Sequence, residues 1–442
     1  MQFLKRASAF LIVAVAGISA MHATAHTKSK AKTTPADLAP ADSLFQAGRF
    51  AEAQKIYAQV AERDPKSFSA ALQLGYIALL SNKLDDAEAW LRKALDLKHS
   101  DVDAKVMLAE TFYRRNDFFH AGKEISGLGP QDAGKLKNYS TLNAAKLESF
   151  RDDDPYKFEK GAGESTRLPF VKSDPLPLVR VRVNGGAEAI FFIDTGSSEL
   201  LLDTEFAREL KVKPMGAVQG SFSGGQNAEV QNGRVDSVTL GSWTIKNVPV
   251  GMLPLRSLSG SLGVQQIDGC IGTNVLYQFL STIDFRAGEL ILRKKTANNV
   301  KRFEAADDGK GYVVPMWMAG DHFILTWGQV DTLPPSLFFV DSGLAGAGIK
   351  LADSTIKQSG IKLNEALAGE GRGGGGQVKV IPYTAALFSV GAMRQQNVAG
   401  LYDGPFPWED DFGFHLAGMY GGDFLNPYSV TFDFSGMRII FR

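Results

Sequence analysis

Two aspartates in this 442-residue chain stand where carboxylate chemistry would be expected. Asp194 heads Asp194-Thr195-Gly196-Ser197-Ser198 after the apolar run Ala189-Ile190-Phe191-Phe192-Ile193. Asp341 heads Asp341-Ser342-Gly343 after Leu337-Phe338-Phe339-Val340. A carboxyl serves as general base when ionised and as general acid when protonated, if its surroundings set its pKa. A lone Asp at a strand end is ordinarily a turn former or a helix cap, so the weight lies on repetition. Phe-Phe-Ile-Asp-Thr-Gly at 191–196 returns as Phe-Phe-Val-Asp-Ser-Gly at 338–343. Other chemistries find less support. The six histidines form no HExxH or other close ligand pair, no G-x-S-x-G elbow accompanies them, and the single Cys270 excludes a four-cysteine zinc site or an internal redox pair.

The elements that must hold these aspartates repeat as well. Leu178–Val183 alternates apolar and basic residues, turns at Asn184-Gly185-Gly186, and returns through Ala189–Ile193, a hairpin pattern. Val313–Met318, Gly320-Asp321 and Phe323–Trp327 do the same before Asp341. Each half closes on an apolar-glycine segment and an Asp-Phe strand. These are Gly269–Asn274 with Thr282-Ile283-Asp284-Phe285, then Gly418–Asp423 with Val430–Phe434. The interval from Asp194 to Gly272 nearly equals that from Asp341 to Gly421, so the landmarks keep their order and their spacing. Between these landmarks lie Phe222-Ser223-Gly224-Gly225 and the run Gly371–Gly376. The latter lacks the Gly-Lys-Ser/Thr ending of a phosphate loop.

Taken together, residues 166–442 resemble two tandem retropepsin-like domains of the aspartic protease family. The resemblance implies an all-β, two-lobed unit in which Asp194 and Asp341 meet across a two-fold axis, share a proton and hold one water. No metal or cofactor is required. It assigns Thr195, Gly196, Ser197, Ser342 and Gly343 to support of the active loops, with Thr195 and Ser342 bonding across the lobes. It assigns Gly224, Gly225, Gly373 and Gly374 to flaps over a peptide or protein substrate. Ser197 is expected to stabilise a charged Asp194, because Leu344 replaces it in the second motif, making Asp194 the base. Asp284 and Asp433 read as structural acids, and Cys270 as a buried inert thiol. Two departures from the family pattern stand in the second half: a soft segment Leu344–Gly348, and Tyr420-Gly421-Gly422-Asp423 where two aliphatic residues usually precede the glycine. Leu401–Phe414 reads as an inserted loop that walls the cleft or covers an apolar edge.

The first half is of another kind. Gly48-Arg49-Phe50-Ala51-Glu52-Ala53 recurs at Asn82–Ala87 and again, at the same interval, at Asn116–Ala121. This resembles the tetratricopeptide repeat, two antiparallel helices per unit, over residues 41–128. Such an array offers a concave face to a peptide or protein partner, or serves as a spacer against the next domain. Residues 129–165, with Asp152-Asp153-Asp154-Pro155, read as a linker. Residues 1–25 combine Lys5 and Arg6, an apolar run Ala9–Met21 and Ala23-Thr24-Ala25, the parts of an export signal, and the run is too short for a stable membrane span. Residues 26–40 read as a flexible leader. The expected product is exported, periplasmic or secreted, with lobes at 166–298 and 299–442. Forty-eight basic against 48 acidic residues argue against a nucleic-acid partner.

Overall fold

A computed structural model describes residues 10–11, 15–16 and 37–442, apart from 137, 160–162, 223–225 and 306–310. Six helices come first: α1 (Ala39–Gln46), α2 (Phe50–Arg63), α3 (Phe68–Leu80), α4 (Leu84–Leu97), α5 (Val102–Arg114) and α6 (Phe118–Ile125). They pair as three antiparallel hairpins, as the repeat period requires. The leader's last two positions, Ala39 and Pro40, already belong to α1. The head of each repeated hexapeptide explains the turn inside each pair. Gly48, Asn82 and Asn116 have φ of 74°, 52° and 62°. Glycine and asparagine tolerate that left-handed conformation best. Ser67, Asp101 and Asp117 cap α3, α5 and α6 through their side chains. At Gly75 a Cβ would lie 2.7 Å from Leu91 Cγ, so a small residue there lets α3 and α4 close together.

Two β lobes follow, and they share one topology. In the first, strand Glu188–Ile193 runs parallel to Gly269–Ile271, which runs antiparallel to Leu200–Asp203. In the second, Ser336–Asp341 runs parallel to Leu416–Gly421, which runs antiparallel to Ile349–Leu351. The strand carrying each aspartate is thus separated from the strand that follows it by the closing segment. Apolar residues on both faces bury these strands: Phe191, Phe192, Ile193, Phe339 and Val340 are all fully enclosed. A six-stranded sheet joins the lobes. Phe279–Asp284 of the first pairs antiparallel with Ser429–Asp433 of the second, and Thr282 Oγ1 meets Thr431 Oγ1 at 2.7 Å across the pseudo-two-fold axis.

The helical array is continuous with both lobes. Side chains of α1–α3 share one apolar cluster with second-lobe residues, including Phe323, Leu337 and Trp408. Later-repeat residues such as Leu91, Phe112 and Phe118 share another with the first lobe. Segment 403–415 settles the choice left open for the inserted loop, because it covers the face of the repeats rather than the cleft. Tyr76 donates its hydroxyl to Phe412 O at 3.2 Å, His415 N donates to Gln46 O, and Phe414 packs edge-on to Phe45 and Phe50. Residues 129–165 are not a free tether. They supply α7 (Ala144–Glu148), a strand at Lys157–Phe158 paired with Trp243–Leu253, and the buried side chains Tyr139, Leu142, Leu147, Phe150 and Tyr156.

Of the predicted export leader only Phe10–Leu11 and Val15–Ala16 are described. Their backbones add to the edges of two hairpins, parallel to Gly371-Arg372 and antiparallel to Ser221-Phe222. The small-residue exit Ala23-Thr24-Ala25 lies outside the described residues. No helix among the described residues is long and apolar enough to cross a membrane.

Candidate active site

The two Asp-Thr/Ser-Gly loops meet back to back at the lobe interface. Their strands end at Ile193 and Val340, and each chain turns so that the glycine N–H points at its own aspartate. Gly196 N donates to Asp194 Oδ1 at 2.7 Å and Gly343 N donates to Asp341 Oδ1 at 2.8 Å. A Cβ on Gly196 would lie 2.5 Å from Asp341 Oδ1, which shows how closely the second carboxyl approaches the first loop. The hydroxyls cross between lobes in a reciprocal set. Thr195 Oγ1 donates to Val340 O at 2.8 Å and accepts from Ser342 N at 2.9 Å; Ser342 Oγ donates to Ile193 O at 3.3 Å and accepts from Thr195 N at 2.9 Å. Four hydrogen bonds between two side chains and the opposing backbone leave the loops little freedom to separate.

The glycines of the closing segments are required by close approach. A Cβ on Gly421 would sit 1.6 Å from Asp341 O, and one on Gly272 would sit 2.3 Å from Glu199 O. The departure from the family pattern at Tyr420-Gly421-Gly422 therefore coincides with the tightest packing behind the second aspartate. The Tyr420 ring is buried against Phe388 and Phe424, so an aromatic fills the apolar position before the glycine.

Both carboxyls are buried, and among the described residues Oδ2 of each has no hydrogen-bond partner. Burial holds Asp194 well above the usual carboxylate range, and the adjacent Asp341 charge adds to the rise. Burial raises Asp341 too, and the Asp194 carboxyl and the Gly343 N–H restrain that rise. The two therefore titrate as one coupled pair in which a single shared proton is favoured over two charges. The support for a charged Asp194 expected from Ser197 is not seen. That hydroxyl is buried without a bond to Asp194, and its neighbour is the Cys270 thiol.

Each lobe carries a hairpin where a flap was expected. Gly369–Gly373 pairs antiparallel with Gly376–Val390 through Gly373 and Gly376, which puts Gly373 and Gly374 at a hairpin tip. Its counterpart pairs Ala217–Phe222 with Gln226–Leu240. Gly224 and Gly225, expected at that tip, lie outside the described residues. Asp284 accepts from Ala287 N, while Asp433 accepts from Ser435 N, Gly436 N and Arg438 Nε, so each bonds within its own hairpin turn. Cys270 is buried, and its thiol is pushed well above its ordinary value by that burial.

Sequence reasoning missed Glu199, His322 and Lys350. Each is a charged or titratable residue at a strand edge that periodicity would place in solvent, yet all are nearly or fully buried. Adjacency to the motif was the one available signal for Glu199. Comparison with known families agrees with both halves of the reading. Residues 179–275 match the aspartyl protease family model and residues 38–102 match the tetratricopeptide repeat model, in the order read from the sequence. No curated protein matches the chain.

Proposed function

We propose that this chain is an aspartic endopeptidase whose single active site is formed by Asp194 of the first lobe and Asp341 of the second. The observation that carries the reading is the meeting of two Asp-Thr/Ser-Gly loops, locked by reciprocal hydroxyl bonds, with both Oδ2 atoms buried and without a hydrogen-bond partner among the described residues. A water held between such carboxyls gives up a proton to the ionised carboxyl of the pair as its oxygen attacks the peptide carbonyl. The protonated carboxyl donates to the carbonyl oxygen as the tetrahedral intermediate forms. The amine leaves after taking the proton that the first carboxyl accepted, and a hydroxyl of the collapsing intermediate returns its proton to the second, which restores the pair. No charge crosses the site that the pair cannot carry, so metal and cofactor have no step to perform.

The substrate class is an extended peptide. Strand addition needs backbone N–H and C=O groups at a sheet edge, and the outer strands of both hairpins, Gly369–Gly373 and Ala217–Phe222, are such edges. The short stretches at 10–11 and 15–16 pair with these two edges, one on each lobe. The helical repeats are assigned to contact with a protein partner or a substrate beyond the cleft. Their α1–α3 face is already engaged by segment 403–415, which leaves the outer surface for that contact. The apolar run and small-residue exit at the start of the chain support action outside the cytoplasm, in a periplasm or beyond the cell.

Incubation of the protein lacking residues 1–25 with a mixed peptide library from pH 3 to 7, beside Asp194→Asn and Asp341→Asn, tests the reading. One shared site requires cleavage by the parent and a loss of about 10²–10⁴-fold in both variants. Activity surviving in Asp341→Asn would instead indicate a first-lobe homodimer, and peptide capture without cleavage by the parent would indicate a binding protein.

A further inference from the structure

Several charged side chains lie buried beside the active loops and take no part in the proposed chemistry. Buried charges are costly unless paired and fully hydrogen-bonded, so their placement calls for a physical account. Glu199 follows Asp194 in the same loop, just before strand Leu200–Asp203. Its carboxylate accepts from Lys146 Nζ at 2.7 and 2.9 Å and from the Tyr113 hydroxyl. Lys146 lies on α7 and Tyr113 on α5, so an ion pair with no solvent contact ties the first active loop to the helical half. The second lobe is tied to the same strip. Asp321, between the hairpin strands that precede Asp341, accepts from Ser140 Oγ at 2.7 Å and from Thr141 N at 3.0 Å, and His322 Nδ1 lies 2.5 Å from its other oxygen. Asp321 N donates to Asn138 O, and Arg114 of α5 donates to Met318 O and Gly320 O. Ser140 Oγ also reaches Ser198 Oγ of the first loop at 3.4 Å.

We propose that segment 138–146 and the helices behind it act as a brace that fixes the placement of Asp194 relative to Asp341, with Lys146, Glu199, Ser140 and Asp321 as positioning residues. The proposal rests on the reading of Asp194 and Asp341 as a working pair. One short strip grips the active loop of one lobe and the leading hairpin of the other, so a relative rotation of the lobes must break buried bonds on one side or the other. The repeat turns add contacts along the same seam: Asn82 Nδ2 donates to Phe434 O, Asn82 Oδ1 accepts from the Tyr277 hydroxyl, and Asn116 bonds Gln278. Displacement of catalytic groups by about 1 Å can lower a rate by about 10²-fold, so a brace at this distance acts on turnover without touching substrate.

The double variant Lys146→Met/Glu199→Gln tests the brace, because removing both charges leaves no unpaired ion in the core. Calorimetry establishes that it folds, and kcat and KM are then measured on a peptide that the parent cleaves. The pair itself is read by the difference in melting temperature between each protein and its Asp194→Asn derivative from pH 4 to 8, which needs no turnover. A brace predicts a folded variant with kcat at least tenfold lower, KM within threefold, and a shift of at least half a pH unit in where the Asp194→Asn difference opens. A purely structural role lowers stability equally at every pH and leaves kcat alone, and that result overturns the proposal. Should the double variant fail to fold, Ser140→Ala, which removes only hydroxyl bonds to Asp321 and Ser198, carries the same comparison. If the parent cleaves no peptide, the endopeptidase reading falls and the pH dependence alone decides the brace.

Discussion

Asp194 and Asp341 stand in equivalent motifs, and their shared burial decides how the pair titrates. Burial and the adjacent charge keep Asp194 protonated well above the range of a free carboxyl. The native protein then holds a proton that the unfolded chain has released. The stability tied to that proton is complete below the unfolded pKa of about 3.9 and is lost as pH rises through the raised folded value. Asp194→Asn, which cannot ionise, is therefore expected to melt a few degrees above the parent at pH 7 and close to it at pH 4; calorimetry showing a lower melting point at pH 7 would contradict this. The activity profile follows from the same pair. Its acid limb marks the second protonation of the pair and its alkaline limb the loss of the shared proton, and with both carboxyls raised both limbs lie above the positions set by unperturbed carboxyls. Thr195→Val removes one hydroxyl that serves two cross-lobe bonds and leaves Ser342 N without an acceptor, a cost of about 1–3 kcal/mol by denaturant titration. The reading of Thr195 and Ser342 from the resemblance placed these bonds correctly, because the motif is local. The Ser197 expectation failed because that hydroxyl lies beside the Cys270 thiol and makes no bond to Asp194, a placement that the motif alone does not reveal.

At the scale of elements, the strands that carry the aspartates were legible because both their faces are apolar and their landmarks recur in one order at nearly equal intervals. The helical repeats were legible because a left-handed turn residue returns at positions 48, 82 and 116. Residues 129–165 were not, since the acidic and glycine-rich stretches at 152–155 and 161–163 read as a linker and Lys146 occupies a buried position. Segment 403–415 was half legible: its aromatics announced an apolar contact, but the surface they meet lies far earlier in the chain, as Tyr76 and Phe412 show. Trp408 is almost wholly enclosed, and Trp408→Ala is expected to cost about 3–5 kcal/mol in chemical denaturation. Gly421→Ala is the sharper test of an element. The added methyl meets backbone rather than a side chain that can swing away, so the closing strand and Asp341 must shift apart. Activity is expected to fall by more than tenfold in protein that still elutes from size exclusion as the parent does.

For the molecule as a whole, two structurally equivalent lobes contribute adjacent strands to one six-stranded sheet and one aspartate each to one site. Truncation after residue 300 removes the partner of strand Phe279–Asp284 together with Asp341, and the product is expected to be inactive. The shared Thr282–Thr431 contact has a consequence for kinetics in dilute solution. Two half-sites on separate chains assemble only above their dissociation constant, and specific activity then decays as the protein is diluted. Here each half-site sees the other at an effective concentration set by the tether, which dilution cannot lower. Turnover per molecule should stay constant from micromolar to nanomolar protein, and an admixture of chains bearing Asp341→Asn should reduce the rate only in proportion to their number, with no poisoning of their intact neighbours.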